Sequence, residues 1–178
     1  MLLSHVTVLP FFFDRYDVAA LDIYGSDLFC GSFTQFRILN VDNLKPGHAG
    51  SMTVSPVISF PEVDFPLLVV GDFTIHHPLS DPLQAHSSEE LALSFPYFSR
   101  ASALGFELLN LPGIFIHFSL GGTSRPSVID LAFASSRLAP FCYHWDTSLP
   151  STGSDHVPIT ISVSHPVLSH HCLRRIGP

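Results

Sequence analysis

Three aspartates of this sequence stand at the end of, or within, apolar runs, where a lone carboxylate is unexpected. They are Asp72 after residues 67–71, Asp130 within residues 128–133, and Asp155, which precedes His156 and the run 157–161. Burying an unpaired carboxylate costs on the order of several kcal/mol, so such residues normally have a partner or bind a metal. Any one of them could cap a turn, as Asp often does. As a set beside a histidine, they predict a shared site.

Carboxylates and a histidine in one cleft are the side chains that phosphodiester cleavage requires. Asp72 could activate the attacking water, and Asp155 could bind Mg²⁺ through oxygen, the ligand type that this ion prefers. A histidine paired with Asp130 would be held in one orientation. The nearby negative charge would raise the pKa of that histidine, so that it could donate a proton to the phosphate.

The charge of the chain limits how it could hold nucleic acid. Its 178 residues carry a net charge of −7, and Lys45 is the only lysine. A domain that bound DNA by charge alone would present a basic face, because neutralised phosphates release counterions. If the partner is DNA, a divalent cation must do part of the work that Lys and Arg usually do.

Cysteine usage and hydropathy bear on the cellular location. Cys30, Cys142 and Cys172 are odd in number and lack a CxxC spacing, which favours a reduced intracellular chain with no disulfide partner. No apolar run approaches the roughly 18 residues of a transmembrane helix. Residues 1–13 lack the basic region and the cleavage site of a signal peptide. We therefore expect no membrane partner and an intracellular location, with the nucleus as one option.

The elements that must position these residues are mostly strands. Branched and aromatic runs between turn signals predict strands at residues 6–9, 18–24, 36–40, 67–71, 107–109, 114–118, 129–133 and 158–163. One helix is predicted after Ser87, where a capping-box pattern includes Glu90, and it ends near Gly105. Its predicted apolar face is Leu91, Phe95, Phe98 and Leu104. This pattern indicates a mixed α/β chain, a sheet sandwich with helices outside.

The chain is long and apolar enough for one domain. Hydrophobic residues make up 46% of it and charged residues 13%, which suits a single core. We expect one domain over residues 1–166 and a tail over residues 167–178. The stretch 44–60 contains prolines and glycines, so no stable helix is expected there.

Three stretches carry a resemblance to a known family: Gly71–His77, Arg125–Ser135 and Ser151–Ile159. They resemble the signature of the endonuclease/exonuclease/phosphatase superfamily. More narrowly, the chain resembles the endonuclease domain of LINE-type (non-LTR) retrotransposons over roughly residues 10–163. The resemblance implies a four-layer α/β sandwich of two mixed, largely antiparallel sheets flanked by helices.

The resemblance also implies an activity and assigns roles. The activity would be a phosphodiesterase that nicks DNA with Mg²⁺ or Mn²⁺. Asp72 resembles the family's water-orienting Asp, and Asp130 resembles the Asp that pairs with the active-site histidine. His156 resembles that histidine, and Asp155 resembles the adjacent carboxylate associated with the metal.

Three departures from the family pattern favour an alternative, a catalytically inactive remnant. Thr74 stands where the family has an Asn that touches the phosphate, and Asp42 stands where it has a substrate-contacting Tyr. The family's metal-binding Glu comes from an N-terminal segment, whereas this chain has no Glu before Glu62. We expect a copy that lacks the first strands of the fold.

Other chemistries fit the sequence less well. A phosphatase of the same superfamily is a further alternative, but the sequence around Asp130 resembles the retrotransposon endonucleases and disfavours it. A serine hydrolase is disfavoured, since no Gly-x-Ser-x-Gly is present. Three motifs invite a zinc interpretation but lack the repeated spacing of a zinc site: His76-His77, Cys142-x-His144 and His170-His171-Cys172. The pair at 76 and 77 is expected to flank the nuclease cleft or to face solvent.

Overall fold

The computed structural model describes residues 5–13, 16–24, 35–42, 65–118, 125–147 and 154–163. In chain order the elements are β1 (His5–Phe13), β2 (Tyr16–Tyr24), β3 (Gln35–Asp42), β4 (Leu67–Asp72), α1 (Ser88–Ala103), β5 (Phe106–Leu108), β6 (Asp130–Ser135), a 3₁₀ turn (Ala139–Phe141), β7 (Cys142–Asp146) and β8 (Thr160–Val163). Strands therefore outnumber helices in the described chain, as the sequence predicts.

The strands form two sheets. Six of them build a mixed sheet in the order β1-β2-β3-β4-β6-β5, and β7 pairs with β8 in a two-stranded sheet. Only the β3–β4 pair of the six-stranded sheet is parallel; its other pairs are antiparallel. This arrangement agrees with the prediction of two mixed, largely antiparallel sheets.

Alternating side chains of the central strands bury both faces of the six-stranded sheet. On one face, Val69 and Phe133 pack with Tyr97 and Phe98 of α1. On the other face, Leu68 and Ala134 belong to a second cluster, and the partly buried residues packed against it include Cys142, Ile161 and Val163 of the two-stranded sheet. The described residues thus build three layers of the sandwich, one helix and two sheets.

The helix begins where the sequence predicts, but its buried face is rotated. The Ser87 side chain accepts a hydrogen bond from the Glu90 N–H, and the Glu90 carboxylate accepts one from the Ser87 N–H, which completes the capping box. Phe98 is buried as predicted, whereas Phe95 is 49% exposed, so its assignment to the core face is wrong. Ser94, Tyr97 and Ala101 are buried instead, because the stripe that faces the sheet passes one position before Phe95.

One predicted strand is not formed, and one strand of the structure has no counterpart among the predictions. Residues 114–118 do not form a strand; His117 alone makes isolated bridges, to Ser127 and to His156. The segment follows Gly113, which has a positive φ of 76° and donates its N–H to the Ser80 carbonyl, so the chain is tied to a loop there. Conversely, β7 was not predicted.

Some expectations lie outside the described residues. These are the absence of a helix in residues 44–60 and the tail at 167–178, and the domain limits stay a prediction. In the part of the chain that the structure describes, no helix is long and apolar enough to cross a membrane.

Candidate active site

Neighbouring strands bring the predicted carboxylates to one end of the sheet. Asp72, the last residue of β4, is the register partner of Asp130, the first residue of β6. On its other side, Asp72 is the register partner of Asp42, the last residue of β3. The structure describes the backbone of Asp42 but not its side chain. Three aspartates from distant parts of the sequence therefore lie side by side in the sheet.

A glycine makes the close approach of β3 and β4 possible beside Asp72. Gly71 has a φ of 138°, and a Cβ at this position would overlap the Val41 carbonyl oxygen and lie 2.8 Å from the Val41 nitrogen and carbonyl carbon. No other residue fits this position without moving the strands apart. The Gly-Asp pair of the motif is thus one packing unit, in which the glycine brings the carboxylate next to β3.

Asp130 and His156 form a direct hydrogen-bonded pair. The distance between Asp130 Oδ2 and His156 Nδ1 is 2.7 Å, and the Asp130 side chain is only 13% exposed. Burial lowers the pKa of His156, but the hydrogen bond to Asp130 and the charges of Asp130, Asp72 and Asp155 outweigh it, so the pKa is raised above its ordinary value. Burial also raises the pKa of Asp130, against the opposing hydrogen bond from His156. The predicted pairing is therefore present.

Asp130 is also held from behind by an amide. Asn110 is buried, its Nδ2 donates to the Asp130 carbonyl oxygen at 2.9 Å, and its Oδ1 accepts from the Ala132 N–H at 2.8 Å. These bonds continue the β5–β6 ladder with a side chain in place of a strand residue. They fix the backbone of β6 at the point where the Asp130 carboxylate leaves it.

A histidine that the sequence analysis did not single out completes the cluster. His117 is buried, its Nε2 lies 3.7 Å from Asp155 Oδ2, and its ring centroid is 4.8 Å from that of His156. Backbone bonds from Phe118 N to Asp155 O and from Val157 N to Ile116 O, both 2.7 Å, hold the two segments together. The sequence signal for His117 was its place in the apolar run 114–118. A polar imidazole in such a run, like a buried carboxylate, normally has a partner or binds a metal.

Thr74 lies next to the site in an unusual backbone conformation. Its φ is 48°, in the left-handed region, where a β-branched residue is uncommon. Its N–H donates to Asp72 Oδ1 at 2.8 Å, so the turn orients the carboxylate. The position of the substituted family residue is thus beside Asp72, as the motif implies.

An open cleft of about 440 Å³ adjoins the site. His76 lines it, as expected for a residue flanking the cleft, whereas His77 does not, and that part of the prediction is wrong. His77 is 3% exposed and stacks on Phe98 with ring centroids 3.9 Å apart. The described residues that line the cleft are Thr74, His76, Gln84, Ala85, His86, Glu90, His117, Arg125, Ser127 and Ile129.

The described side chains suit a divalent cation. Two groups place their ligand atoms within 4.8 Å of one another: His117, Asp155 and His156, and Asp72, Asp130 and His156. Carboxylate oxygens are the donors that Mg²⁺ prefers, and Asp155, whose side chain is 40% exposed, can offer one to solvent. Neither Cys142 nor His144 belongs to such a group among the described residues.

Comparisons with known proteins agree with this fold. A family model described as "Endonuclease-reverse transcriptase" matches residues 53–160, more than half of the chain. No curated protein matches the chain. Several solved structures do match it.

Three of these solved structures show the shared fold. The endonuclease domain of TRAS1, a telomere-specific non-LTR retrotransposon, is 14% identical, with 89% of this chain and 68% of that chain covered and a TM-score of 0.62. The AP endonuclease LMAP from Leishmania major is 14% identical, with 84% of this chain and 55% of that chain covered and a TM-score of 0.57. The 3'-5' exonuclease NExo from Neisseria meningitidis is 16% identical, with 82% of this chain and 64% of that chain covered and a TM-score of 0.55. The chain thus spans between 55% and 68% of these structures.

Proposed function

Because this chain belongs to the endonuclease–reverse transcriptase family, we propose that it is a divalent-metal-dependent phosphodiesterase that nicks DNA and derives from a retrotransposon. The family and the α/β sandwich fold of its structural neighbours bear out the resemblance to the endonuclease/exonuclease/phosphatase superfamily. The observation that carries the proposed activity is the Asp130–His156 pair, 2.7 Å apart, beside Asp72.

The proposed mechanism divides the chemistry between the carboxylates and the histidine. Asp72, oriented by the Thr74 N–H, positions the attacking water and accepts its proton. His156 donates a proton or a hydrogen bond from Nε2 to a phosphoryl oxygen, since its Nδ1 is engaged by Asp130. Asp130 acts through His156, because it fixes the orientation of the ring and favours the imidazolium.

Asp155 is the proposed cation-binding residue. It is adjacent to His156 in sequence, and its half-exposed carboxylate lies 3.7 Å from His117, which lines the cleft. A bound Mg²⁺ or Mn²⁺ would neutralise negative charge that develops on the phosphate. In a chain with a net charge of −7, this contribution matters more than in a basic nuclease.

The cleft beside the site supports DNA as the substrate. Arg125 and two histidines, His76 and His86, line it within reach of a strand that passes Thr74. A guanidinium binds phosphate in a bidentate manner. We therefore propose that the cleft holds the sugar-phosphate backbone next to the scissile bond.

A plasmid-nicking assay tests this function. With Mg²⁺ the wild-type chain should convert supercoiled plasmid to open circles, and EDTA should abolish the conversion. His156→Ala should lose the activity, whereas His144→Ala, which changes an exposed histidine of β7, should retain it. Equal nicking by the wild type and His156→Ala would contradict the proposal.

A second candidate is the inactive remnant, which Thr74 and Asp42 favour. Thr74 offers a hydroxyl instead of an amide beside Asp72, and an aspartate at position 42 adds negative charge at the end of β3. This candidate predicts that the folded wild-type chain shows no Mg²⁺-dependent nicking above the His156→Ala variant. The same protein samples, tested on small phosphomonoesters, would reveal a phosphatase instead.

A further inference from the structure

Two imidazoles and one carboxylate converge at the edge of the proposed active site. His117, Asp155 and His156 can each offer a ligand atom, and these atoms lie within 4.8 Å of one another. His117 comes from a segment that the proposed nuclease mechanism does not use. The cluster therefore contains a nitrogen-rich set of donors in addition to the carboxylates of the nuclease site.

Both rings make a hydrogen bond through Nδ1. Asp130 accepts the proton on His156 Nδ1, so the neutral ring presents a lone pair at Nε2. A carboxylate that holds the far nitrogen of a metal-binding histidine is a recurrent arrangement, because it fixes the tautomer and raises the basicity of the ligand. His117 Nδ1 likewise lies 3.2 Å from Ser127 Oγ.

The spacing of two of the donors is close to that of neighbouring ligands on one ion. His117 Nε2 and Asp155 Oδ2 are 3.7 Å apart, too far for a hydrogen bond. Two ligands of a tetrahedral ion at about 2.0–2.1 Å lie roughly 3.3–3.5 Å from each other. A shift of a few tenths of an ångström would bring both atoms onto one ion.

We propose that His117, Asp155 and His156 form a binding site for a transition-metal ion of the Zn²⁺ class. Two nitrogen donors and one oxygen donor suit Zn²⁺, which is commonly held by three protein ligands and a water. Mg²⁺ prefers an all-oxygen set and gains little from imidazole. The site therefore selects a different ion from the one proposed for DNA cleavage.

Occupancy of this site inhibits the nuclease, a consequence that rests on the proposed function. An ion on His156 Nε2 takes the nitrogen that would donate to the phosphate, and an ion on Asp155 displaces the Mg²⁺ proposed there. Zn²⁺ should therefore suppress nicking at concentrations well below that of Mg²⁺. Imidazole and carboxylate donors bind late first-row transition metals such as Zn²⁺ far more tightly than they bind Mg²⁺.

Metal binding is measured first, without reference to activity. The full chain is titrated with Co²⁺, whose visible absorption reports four-coordinate nitrogen and oxygen ligation, and then with Zn²⁺ by calorimetry. We expect one ion per chain, no thiolate-to-cobalt charge-transfer band, and affinity reduced by more than about tenfold in His117→Gln and in Asp155→Asn. The second variant changes a half-exposed side chain and guards against misfolding of the first.

A matched control comes from the second sheet. His144 Nε2 also lies 3.7 Å from an aspartate oxygen, Asp146 Oδ2, but this pair belongs to no three-residue group in the described chain. His144→Gln should bind Co²⁺ and Zn²⁺ like the wild type. Unchanged affinity in both His117→Gln and Asp155→Asn, or loss of binding in His144→Gln alone, would overturn the site.

Nicking assays then separate the two proposals. If the wild type nicks plasmid with Mg²⁺, micromolar Zn²⁺ should inhibit it, and the residual activity of His117→Gln should be less sensitive to Zn²⁺. Nicking that Zn²⁺ leaves unaffected would overturn the inhibitory consequence. If the chain nicks nothing, the proposed function fails, while the spectroscopic titration still decides whether the metal site exists.

Discussion

Replacing Gly71 by alanine tests how tightly the strand that ends in Asp72 packs against its parallel neighbour. The added Cβ would overlap the Val41 carbonyl oxygen, and backbone atoms cannot move aside as a flexible side chain can. The φ of 138° is also unfavourable for any residue with a Cβ. We therefore expect the substitution to separate β3 from β4 at this pair.

The magnitude follows from two terms. The backbone conformation costs an alanine about 1–3 kcal/mol. Separating the strands at this end removes two or three backbone hydrogen bonds, each worth about 0.5–1.5 kcal/mol net. Together these contributions lower the expected free energy of unfolding of Gly71→Ala by about 2–7 kcal/mol, a large part of the roughly 5–15 kcal/mol that stabilises a domain.

Urea denaturation measures this loss, with the fluorescence of Trp145, the only tryptophan, as the probe. Gly113→Ala is the matched control: its φ is also positive, at 76°, but a Cβ there would lie 3.6 Å from the nearest Leu83 atom, an ordinary contact. The control should lose only the conformational part, about 1–2 kcal/mol. If Gly71→Ala were no more destabilising than Gly113→Ala, the inferred clash with β3 would be refuted.

Four further outcomes are expected. Ser87→Ala should lower the free energy of unfolding by about 1 kcal/mol through loss of the capping box, and an unchanged urea midpoint would contradict that role. Asn110→Ala should lower the free energy of unfolding by about 2–4 kcal/mol, because it leaves the Asp130 carbonyl and the Ala132 N–H without their partner. Urea denaturation with an unchanged m-value would measure this loss, and a loss below about 1 kcal/mol would speak against it. Thr74→Asn should gain about 1 kcal/mol, since asparagine tolerates the left-handed region, and should increase Mg²⁺-dependent nicking; lower stability would argue against strain at this position. Burial, with a smaller contribution from the Glu107 charge, raises the pKa of Cys142 to about 11, so at pH 8 only ~1 thiol in 1000 is ionised and peptide mass spectrometry should find Cys142 unmodified by iodoacetamide until the chain is unfolded.

The central strands were predictable because their residues are apolar on both faces. Residues 67–71 and 129–133 are buried between a helix and a second sheet, so composition alone indicated central strands. β7 was missed, since His144 is exposed and Trp145 is only partly buried, which gives no regular apolar alternation. Residues 114–118 are as apolar as a strand, but their backbone N–H groups donate to Leu111, Ser127 and Asp155 and form no regular ladder. The exposed Phe95 shows the same limit, because composition does not fix the rotation of a helix.

The site was predictable in part for a related physical reason. A carboxylate at the end of a central strand must find a partner, and Asp72, Asp130 and Asp155 with His156 do lie together. Their catalytic roles stay predictions. His117 and Asn110 could not be assigned from spacing, because a single bridge and a side-chain ladder bring them to the site. Such contacts depend on the packed structure and leave no periodic pattern.

The left-handed backbone at Thr74 has a consequence for which residues this turn accepts. A turn held by a hydrogen bond to Asp72 keeps its shape when the side chain changes. Asparagine, the residue that the family resemblance expects, adopts left-handed backbone more readily than threonine. A single substitution would therefore place an amide beside Asp72 without rebuilding the loop.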